Sequence, residues 1–224
     1  MRQLPEVMGF MLAAALICPA QQNSALESDP AGWTDILPGV SLKGWTRLPM
    51  PPTNPPLAQS QWRVDPGSRT LICKGNLGNE WLRFDRELGD AIFHVEWRFT
   101  QLPEGNPRYN SGVYIRNSAD GAIWHQAQAG AASGGFLFGN TLVNGERKRV
   151  NLRGAATPSR VKPAGEWNTY ELSARGKTVT LWVNGAVTSV FGECEVPRGH
   201  IGLEAEGYRI EFRNLKLKEL SKER

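Results

Sequence analysis

Two glutamates, Glu204 and Glu206, stand two positions apart late in the chain. In an extended strand, both side chains project from one face with Cα atoms roughly 7 Å apart, given about 3.3 Å of rise per residue. Carboxylates that close repel, so one holds its proton to higher pH unless a cation lies between them. Arg116 or Arg98 would neutralise one of the pair. A bound divalent cation such as Ca²⁺ is a third solution, because hard cations favour carboxylate and amide oxygens. The spacing leaves these alternatives open. Left unneutralised, the pair is a way to make a general acid or base near neutral pH.

Other polar residues repeat at the same period of two. His94, Glu96 and Arg98 form one set, Tyr114 and Arg116 a second, and Trp124, Gln126 and Gln128 a third. Trp182 has the same outward parity. If their strands share one curved sheet, these side chains line a hollow of carboxylates, guanidinium, amides and indole. Indole stacks on the C–H face of a pyranose, and Arg, Gln and Glu reach hydroxyls in pairs, so this is sugar-binding chemistry. The plainer reading is a wet sheet on which Glu96 and Arg98, or Glu204 and Arg116, are cross-strand ion pairs. Trp124 and Trp182 would then cover the rim of the core. His125 falls in phase with Ile123 and Ala127, which makes it a core-facing histidine, and His200 begins a strand near a turn.

The elements that must position these groups are short strands. Ala91–Phe99 alternates cleanly, with Phe93, Val95, Trp97 and Phe99 on one face. Ser111–Arg116 repeats the pattern, with Val113 and Ile115 inward and Gly112, Tyr114 and Arg116 outward. Lys177–Val183, Asn184-Gly185 and Ala186–Phe191 read as a hairpin, because Asn-Gly accepts the positive φ angles of a two-residue turn. Glu166–Arg175 joins it through Gly176. His200–Glu206 and Tyr208–Leu220 close the chain as a last pair. In the final strand Ile210 and Phe212 are even while Leu215 and Leu217 are odd, which predicts a β-bulge near Arg213-Asn214. Ten or more strands without a three-turn amphipathic helix predict an all-β, two-sheet sandwich. Two long connections interrupt it. Leu48–Ser60, with five prolines, reads as a surface loop or rim. Thr141–Lys162 holds six cations against one acid, Glu146, and reads as a solvated insertion or a cationic lid.

The chain has 224 residues, 40% hydrophobic and 21% charged, which fits one domain of ordinary size. A net charge of +4 without a basic stripe of interleaved aromatics argues against a nucleic-acid partner. Residues 1–20 read as a secretory signal: Arg2, a short apolar run from Val7 to Cys18, then a small-residue cleavage site at Ala20. That run is too short to span a bilayer as a helix. The pattern predicts an exported protein, periplasmic or extracellular, with lipid anchoring at Cys18 as the second reading. Residues 21–31 follow as a flexible leader, and residues 32–220 form the domain. Cys73 and Cys194 remain after cleavage, either as a disulfide or as two separate buried thiols.

Seven segments extend this reading. They are Asn110–Arg116, Trp124–Gln128, Ser133–Gly139, Gly165–Tyr170, Leu181–Gly185 and Gly199–Leu203 followed by Glu211–Leu215. In this order they resemble the family once called domain of unknown function 1080. It is now named for 3-keto-glycoside 1,2-lyase, 3-keto-2-hydroxy-glucal hydratase and 3-keto-disaccharide hydrolase activity. The likeness runs from about Gly32 to Leu220. It implies a concanavalin A-like, laminarinase-like jelly-roll sandwich and a small-molecule substrate, an oxidised sugar or glycoside supplied by an upstream 3-dehydrogenase. It implies C2-proton abstraction, β-elimination of the aglycone and hydration. In that chemistry Glu96, Glu204 and Glu206 are the candidate base and acid. Arg116 is the candidate oxyanion stabiliser, directly or beside a metal of unknown identity. His94, Arg98, Tyr114, Trp124, Gln126, Gln128 and Trp182 are candidates for binding sugar.

The chain departs from the family pattern twice. Many members have Glu-x-Gln at Gln126-Ala-Gln128, and many have Gln-x-His-Gly at Glu204-Ala-Glu206-Gly207. Acid has moved from one strand to another. Either the site is compensated, or the domain is a non-catalytic carbohydrate-binding module. A retaining glucanase of the two-carboxylate kind ranks third, since no Glu-x-Asp-x-x-Glu strand is present.

Overall fold

The computed structural model describes residues 21–221 except 104, 106, 131, 132 and 157. The expected signal segment and Cys18 lie outside the described residues. A four-residue helix α1 (Ala25–Ser28) precedes β1 (Thr34–Asp35), β2 (Trp45–Pro49), β3 (Trp62–Asp65), β4 (Thr70–Cys73) and β5 (Glu80–Phe84). Then come β6 (Ala91–Phe99), β7 (Ser111–Asn117), β8 (Trp124–Ala129), β9 (Leu137–Val143) and β10 (Glu146–Asn151). A short 3₁₀ turn at Arg153–Ala156 leads to β11 (Asn168–Arg175), β12 (Thr178–Val183), β13 (Ala186–Phe191), β14 (His200–Ala205) and β15 (Ile210–Glu219).

These strands form two antiparallel sheets. The first runs β13-β12-β11-β6-β15-β4-β3, with β1 beside β15. The second runs β10-β9-β8-β7-β14-β5-β2. The core lies between them because the alternating apolar residues of each strand turn inward. Phe93, Val95, Trp97 and Phe99 of β6 meet Val113 and Ile115 of β7, Ala127 of β8 and Leu203 of β14, all essentially inaccessible to water. Each large side chain withdrawn in this way contributes about 1.5–3 kcal/mol.

The turn chemistry is as the sequence predicts. Asn184 and Gly185 both have positive φ, and Val183 pairs with Ala186 across them. In β15 the register slips between Arg213 and Lys216, with Asn214 in the left-handed region, so the even-to-odd change of phase is a bulge. Two expectations are corrected. The last two strands are not partners, since β14 belongs to the second sheet and β15 to the first. Much of the cationic connection is regular: β9 and β10 form a hairpin that makes the edge of the second sheet.

The residues read as a flexible leader are docked on the first sheet. The backbone N–H groups of Ala25 and Leu26 donate to the carboxylate of Glu171 at 2.5 and 3.0 Å, and Gln22 N–H donates to Gly185. Among the described residues no helix is long and apolar enough to cross a membrane.

Cys73 and Cys194 are both buried free thiols. Burial pushes the Cys73 thiol up to about 12. Cys194 is also desolvated, but His125 Nε2 lies 3.5 Å from its sulfur and draws its pKa down to about 7. His125 is the core histidine that its parity predicts, 2.8 Å from Thr141 Oγ1 and 3.2 Å from the Ile115 carbonyl. Alkylation followed by mass spectrometry should therefore label neither thiol in the native protein and both after unfolding without reductant. A native disulfide would appear as two unlabelled cysteines in the unfolded sample.

Candidate functional site

The outer face of the second sheet carries a hollow of about 620 Å³. Cross-strand register explains its lining. Glu204 of β14 lies opposite Trp81 of β5, Tyr114 of β7 lies opposite Gln126 of β8, and Gln126 lies opposite Phe138 of β9. Residues directly opposite share a face, so these side chains stand together. Trp124 lies opposite Asn140, which in turn lies opposite Arg149 of β10. Each step carries the same surface one strand further towards the sheet edge.

Glu204 is the centre of this surface. It is 3% exposed although it faces away from the sandwich core. Tyr114 Oη donates to Glu204 Oε1 at 2.7 Å, and Gln126 Nε2 donates to Oε2. Two glycines make room. A Cβ at Gly112 would occupy the place of the Gln126 amide, and a Cβ at Gly202 would come within 2.6 Å of the Trp81 ring. Burial raises the Glu204 pKa, the Tyr114 hydrogen bond opposes that, and the nearby charge of Glu206 raises it further. The result is about 8. The carboxyl of Glu204 is therefore protonated at neutral pH.

Glu206 is half-buried and its pKa is also raised by burial, while the side chain of Asn110 donates to it and holds it down. Gln128 Nε2 fixes that asparagine by donating to Asn110 Oδ1 at 2.5 Å and to the Ser111 carbonyl at 3.1 Å. Two relays result: Tyr114 and Gln126 hold Glu204, and Gln128 holds Asn110, which holds Glu206. Trp81, Tyr114, Trp124 and Phe138 form the aromatic wall, with successive ring centroids 5.8, 6.4 and 5.1 Å apart in edge-to-face contact. The proline-rich loop supplies the rim through Met50, Pro51 and Pro52.

Six of the residues singled out in the sequence thus meet in one hollow: Tyr114, Trp124, Gln126, Gln128, Glu204 and Glu206. Five do not. His94, Glu96 and Arg98 lie on β6 and Trp182 on β12, so they share the outer face of the other sheet. Glu96 pairs with Arg213 at 2.7 Å and accepts from Asn214. Arg98 pairs with Glu211 at 2.9 Å, and His94 Nδ1 lies 2.8 Å from Glu171. These are the cross-strand ion pairs of the plainer reading, although with other partners. Arg116 is corrected for a different reason. Its φ is +51°, and the β7–β14 register slips beside it, so a bulge turns its side chain out of phase with Tyr114. The guanidinium is 1% exposed and pairs with Asp90 at 2.6 Å.

The sequence reading missed Trp81, Asn79, Asn110 and Phe138. Alternation in β5, with Leu82 and Phe84 inward, would have put Trp81 on the outer face. Asn79 sits in a loop and carried no signal. Among the described residues no group of three or more His, Cys, Asp or Glu has the geometry to hold a metal ion. The carboxyls of Glu204 and Glu206 accept instead from hydroxyl and amide donors, which a cation would have to displace.

A buried acid beside a second carboxyl, walled by aromatic rings and amides, thus opens on the outer face of a concanavalin A-like jelly-roll sandwich. The family model of the 3-keto-alpha-glucoside-1,2-lyase-like domain matches residues 32–218. The chain belongs to that family, and its function is carbohydrate-active. Among solved structures it is similar to a glycosyl-hydrolase-like protein from Parabacteroides distasonis ATCC 8503, at 15% identity and a TM-score of 0.61 over 90% of this chain and 100% of that one. A second such protein from the same organism has 18% identity and a TM-score of 0.57, over 84% and 99% of the two chains. A carbohydrate-binding module from Bacillus subtilis has 13% identity and a TM-score of 0.55, over 78% and 95%. At these identities the likenesses show the fold alone. No curated protein matches the chain in sequence.

The raised Glu204 pKa makes a signed prediction. Below about 4.5 both the folded and the unfolded carboxyl are protonated, and the contribution to stability is complete. Between about 4.5 and about 8 the unfolded chain releases a proton that the folded chain keeps, so stability falls as pH rises. Glu204→Gln removes that loss. Its melting temperature relative to wild type should climb across this window and level off above it, by an amount on the order of a few kcal/mol in stability. A pH-independent difference would contradict the assignment.

Proposed function

We propose that the domain cleaves 3-keto-glycosides by elimination and rehydration, with Glu206 as base and Glu204 as acid. The observation that carries this is the pair itself: one carboxyl buried and its pKa raised to about 8, its neighbour more exposed, both opening into one aromatic hollow. Two carboxyls whose surroundings give them different proton affinities can act as base and acid in the same step.

A ketone at C3 acidifies the hydrogen on C2. Glu206 takes that proton, and the electron pair moves into the C2–C3 bond as the enolate forms. It then forms the C1–C2 double bond while the C1–O bond breaks, and Glu204 gives its proton to the departing oxygen. The products are the free aglycone and a 3-keto-glycal. Glu204, now a carboxylate, takes a proton from water as the water oxygen adds to C1, and Glu206 returns its proton to C2. Both carboxyls end as they began, and the net change is hydrolysis. Arg116 is too far inside the protein to stabilise the enolate oxygen. Asn110, beside Glu206, and Asn79 in the cavity wall supply amide N–H donors for that role. Trp124, the half-buried member of the aromatic wall, supplies a face beside the glycosidic bond.

The reading extends to context. The substrate is made by a separate sugar 3-dehydrogenase, and the N-terminal segment directs the protein out of the cytoplasm, where such glycosides are met.

The test is hydrogen exchange. In deuterated water the protein should place deuterium at C2 of a 3-keto-glucoside and release the aglycone. Glu206→Gln should lower both by about 10²–10⁴-fold. Glu204→Gln should impair aglycone release more than exchange. Turnover by the wild type should also fall as pH rises through about 8, where Glu204 loses the proton it must donate. Sugar binding without C2 exchange would identify a carbohydrate-binding module instead.

A further inference from the structure

The hollow is asymmetric in charge. Glu206 and Glu204 stand two residues apart at the β14 end; Gly202 of β14 lies opposite Tyr114, Tyr114 lies opposite Gln126, and the next outward pair, Trp124 and Asn140, continues to Arg149 of β10, with Arg147 two residues beyond. The line is diagonal and runs one way. From β14 to β10 is four strand steps, roughly 19 Å across the strands at about 4.8 Å per step, and the diagonal adds displacement along them.

The far end is cationic, with Arg147 and Arg149 side by side on β10. Arg147 lines the same cavity as Glu204 and Glu206. The Arg149 guanidinium lies 4.8 Å from the Trp124 ring centroid and 5.3 Å from that of Phe138, which fixes it over the aromatic wall. Both arginines are exposed. Among the described residues neither takes part in a salt bridge. Asp120 feels the charge of Arg147, but its carboxylate is occupied by the Ser118 hydroxyl and the Ala122 N–H.

The geometry points to a substrate preference: the site takes glycosides whose leaving group carries an anionic substituent, a carboxylate, sulfate or phosphate, and Arg147 binds it with support from Arg149. This rests on the acid and base roles proposed above, because those roles orient the sugar. Glu206 must face C2 and Glu204 must face the glycosidic oxygen. The C2–C1–O line then continues over Trp124, so the leaving group extends towards β10 and its outer end meets the guanidinium groups. Guanidinium pairs with such oxyanions through parallel N–H donors.

The experiment compares 3-keto-glucosides of 4′-hydroxybiphenyl-4-carboxylate, 4′-hydroxybiphenyl-4-sulfonate and the neutral isostere 4′-hydroxybiphenyl-4-carboxamide, whose two rings carry the substituent towards β10. For wild type, kcat/KM should be at least about fivefold higher for a charged leaving group at low salt. The advantage should fade in about 0.5 M salt, where charges are screened within about 4 Å. Arg147→Gln should bring the charged-to-neutral ratio close to one, and Arg147→Lys should restore part of it. The carboxylate and sulfonate arms show which oxyanion is preferred. Equal rates for charged and neutral substrates, or a ratio that survives Arg147→Gln, would overturn the inference. The same ratios are also measured as equilibrium binding. Absence of C2 exchange with a charge preference in binding overturns the catalytic reading and leaves this preference standing. Equal binding of the three ligands, or no binding, overturns the preference.

Discussion

The site depends on a carboxyl group buried on the wrong side of a β-sheet. Glu204 faces away from the sandwich core yet is almost sealed from water. Ionised and unpartnered, such a group would cost several kcal/mol. The surrounding structure meets that cost in two ways: the carboxyl keeps its proton, and Tyr114 and Gln126 hold both oxygens. The absence of a side chain at Gly112 and Gly202 is part of the same arrangement, because any Cβ there would displace the amide or the indole that covers the acid. The aromatic wall, the glycines and the altered acidity are one construction.

The two sheets differ in what they do with outward-facing polar residues. On the first, Glu96 pairs with Arg213 and Glu211 with Arg98 and Arg209, and the N-terminal segment covers Glu171 and, through Trp33, His94. Trp167 is flanked by the guanidinium groups of Arg98 and Arg213, 4.5 and 4.0 Å from its ring centroid. Little capacity is left there for a ligand. On the second, the carboxyls accept from neutral hydroxyl and amide donors that a sugar hydroxyl can augment or replace. Salt-bridged charges stabilise a surface, and neutral networks around a raised carboxyl leave it reactive.

Charge also changes along the hollow. A carboxyl of raised pKa stands at one end and exposed guanidinium groups at the other, with aromatic faces between. Such a gradient would give the proposed ligand, with one oxidised ring and one charged end, a single orientation. The hairpin of β9 and β10 creates this asymmetry, so an edge that looks like a solvated insertion becomes the far wall of the site.

The period-two alternation of Ala91–Phe99 and its counterparts, the Asn184-Gly185 turn and the change of phase at Asn214 were legible in sequence, because each is governed by neighbouring residues. The carboxyl pair of Glu204 and Glu206, and its company of Tyr114, Trp124, Gln126 and Gln128, were legible for the same reason of parity. Parity says which residues face outward, but a sandwich has two outward faces, and nothing local tells one from the other. Glu96 and Trp182 share the parity of Glu204 and belong to the opposite surface. Arg116 shows a second limit: one left-handed residue in a strand reverses a side chain, and the backbone packed against it, at Gly199, comes from more than eighty residues away. The chain thus determined the elements and the chemistry each could offer. Which of those offers share a cavity was decided only by the order of strands in the two sheets, because that order is set by packing across the whole core.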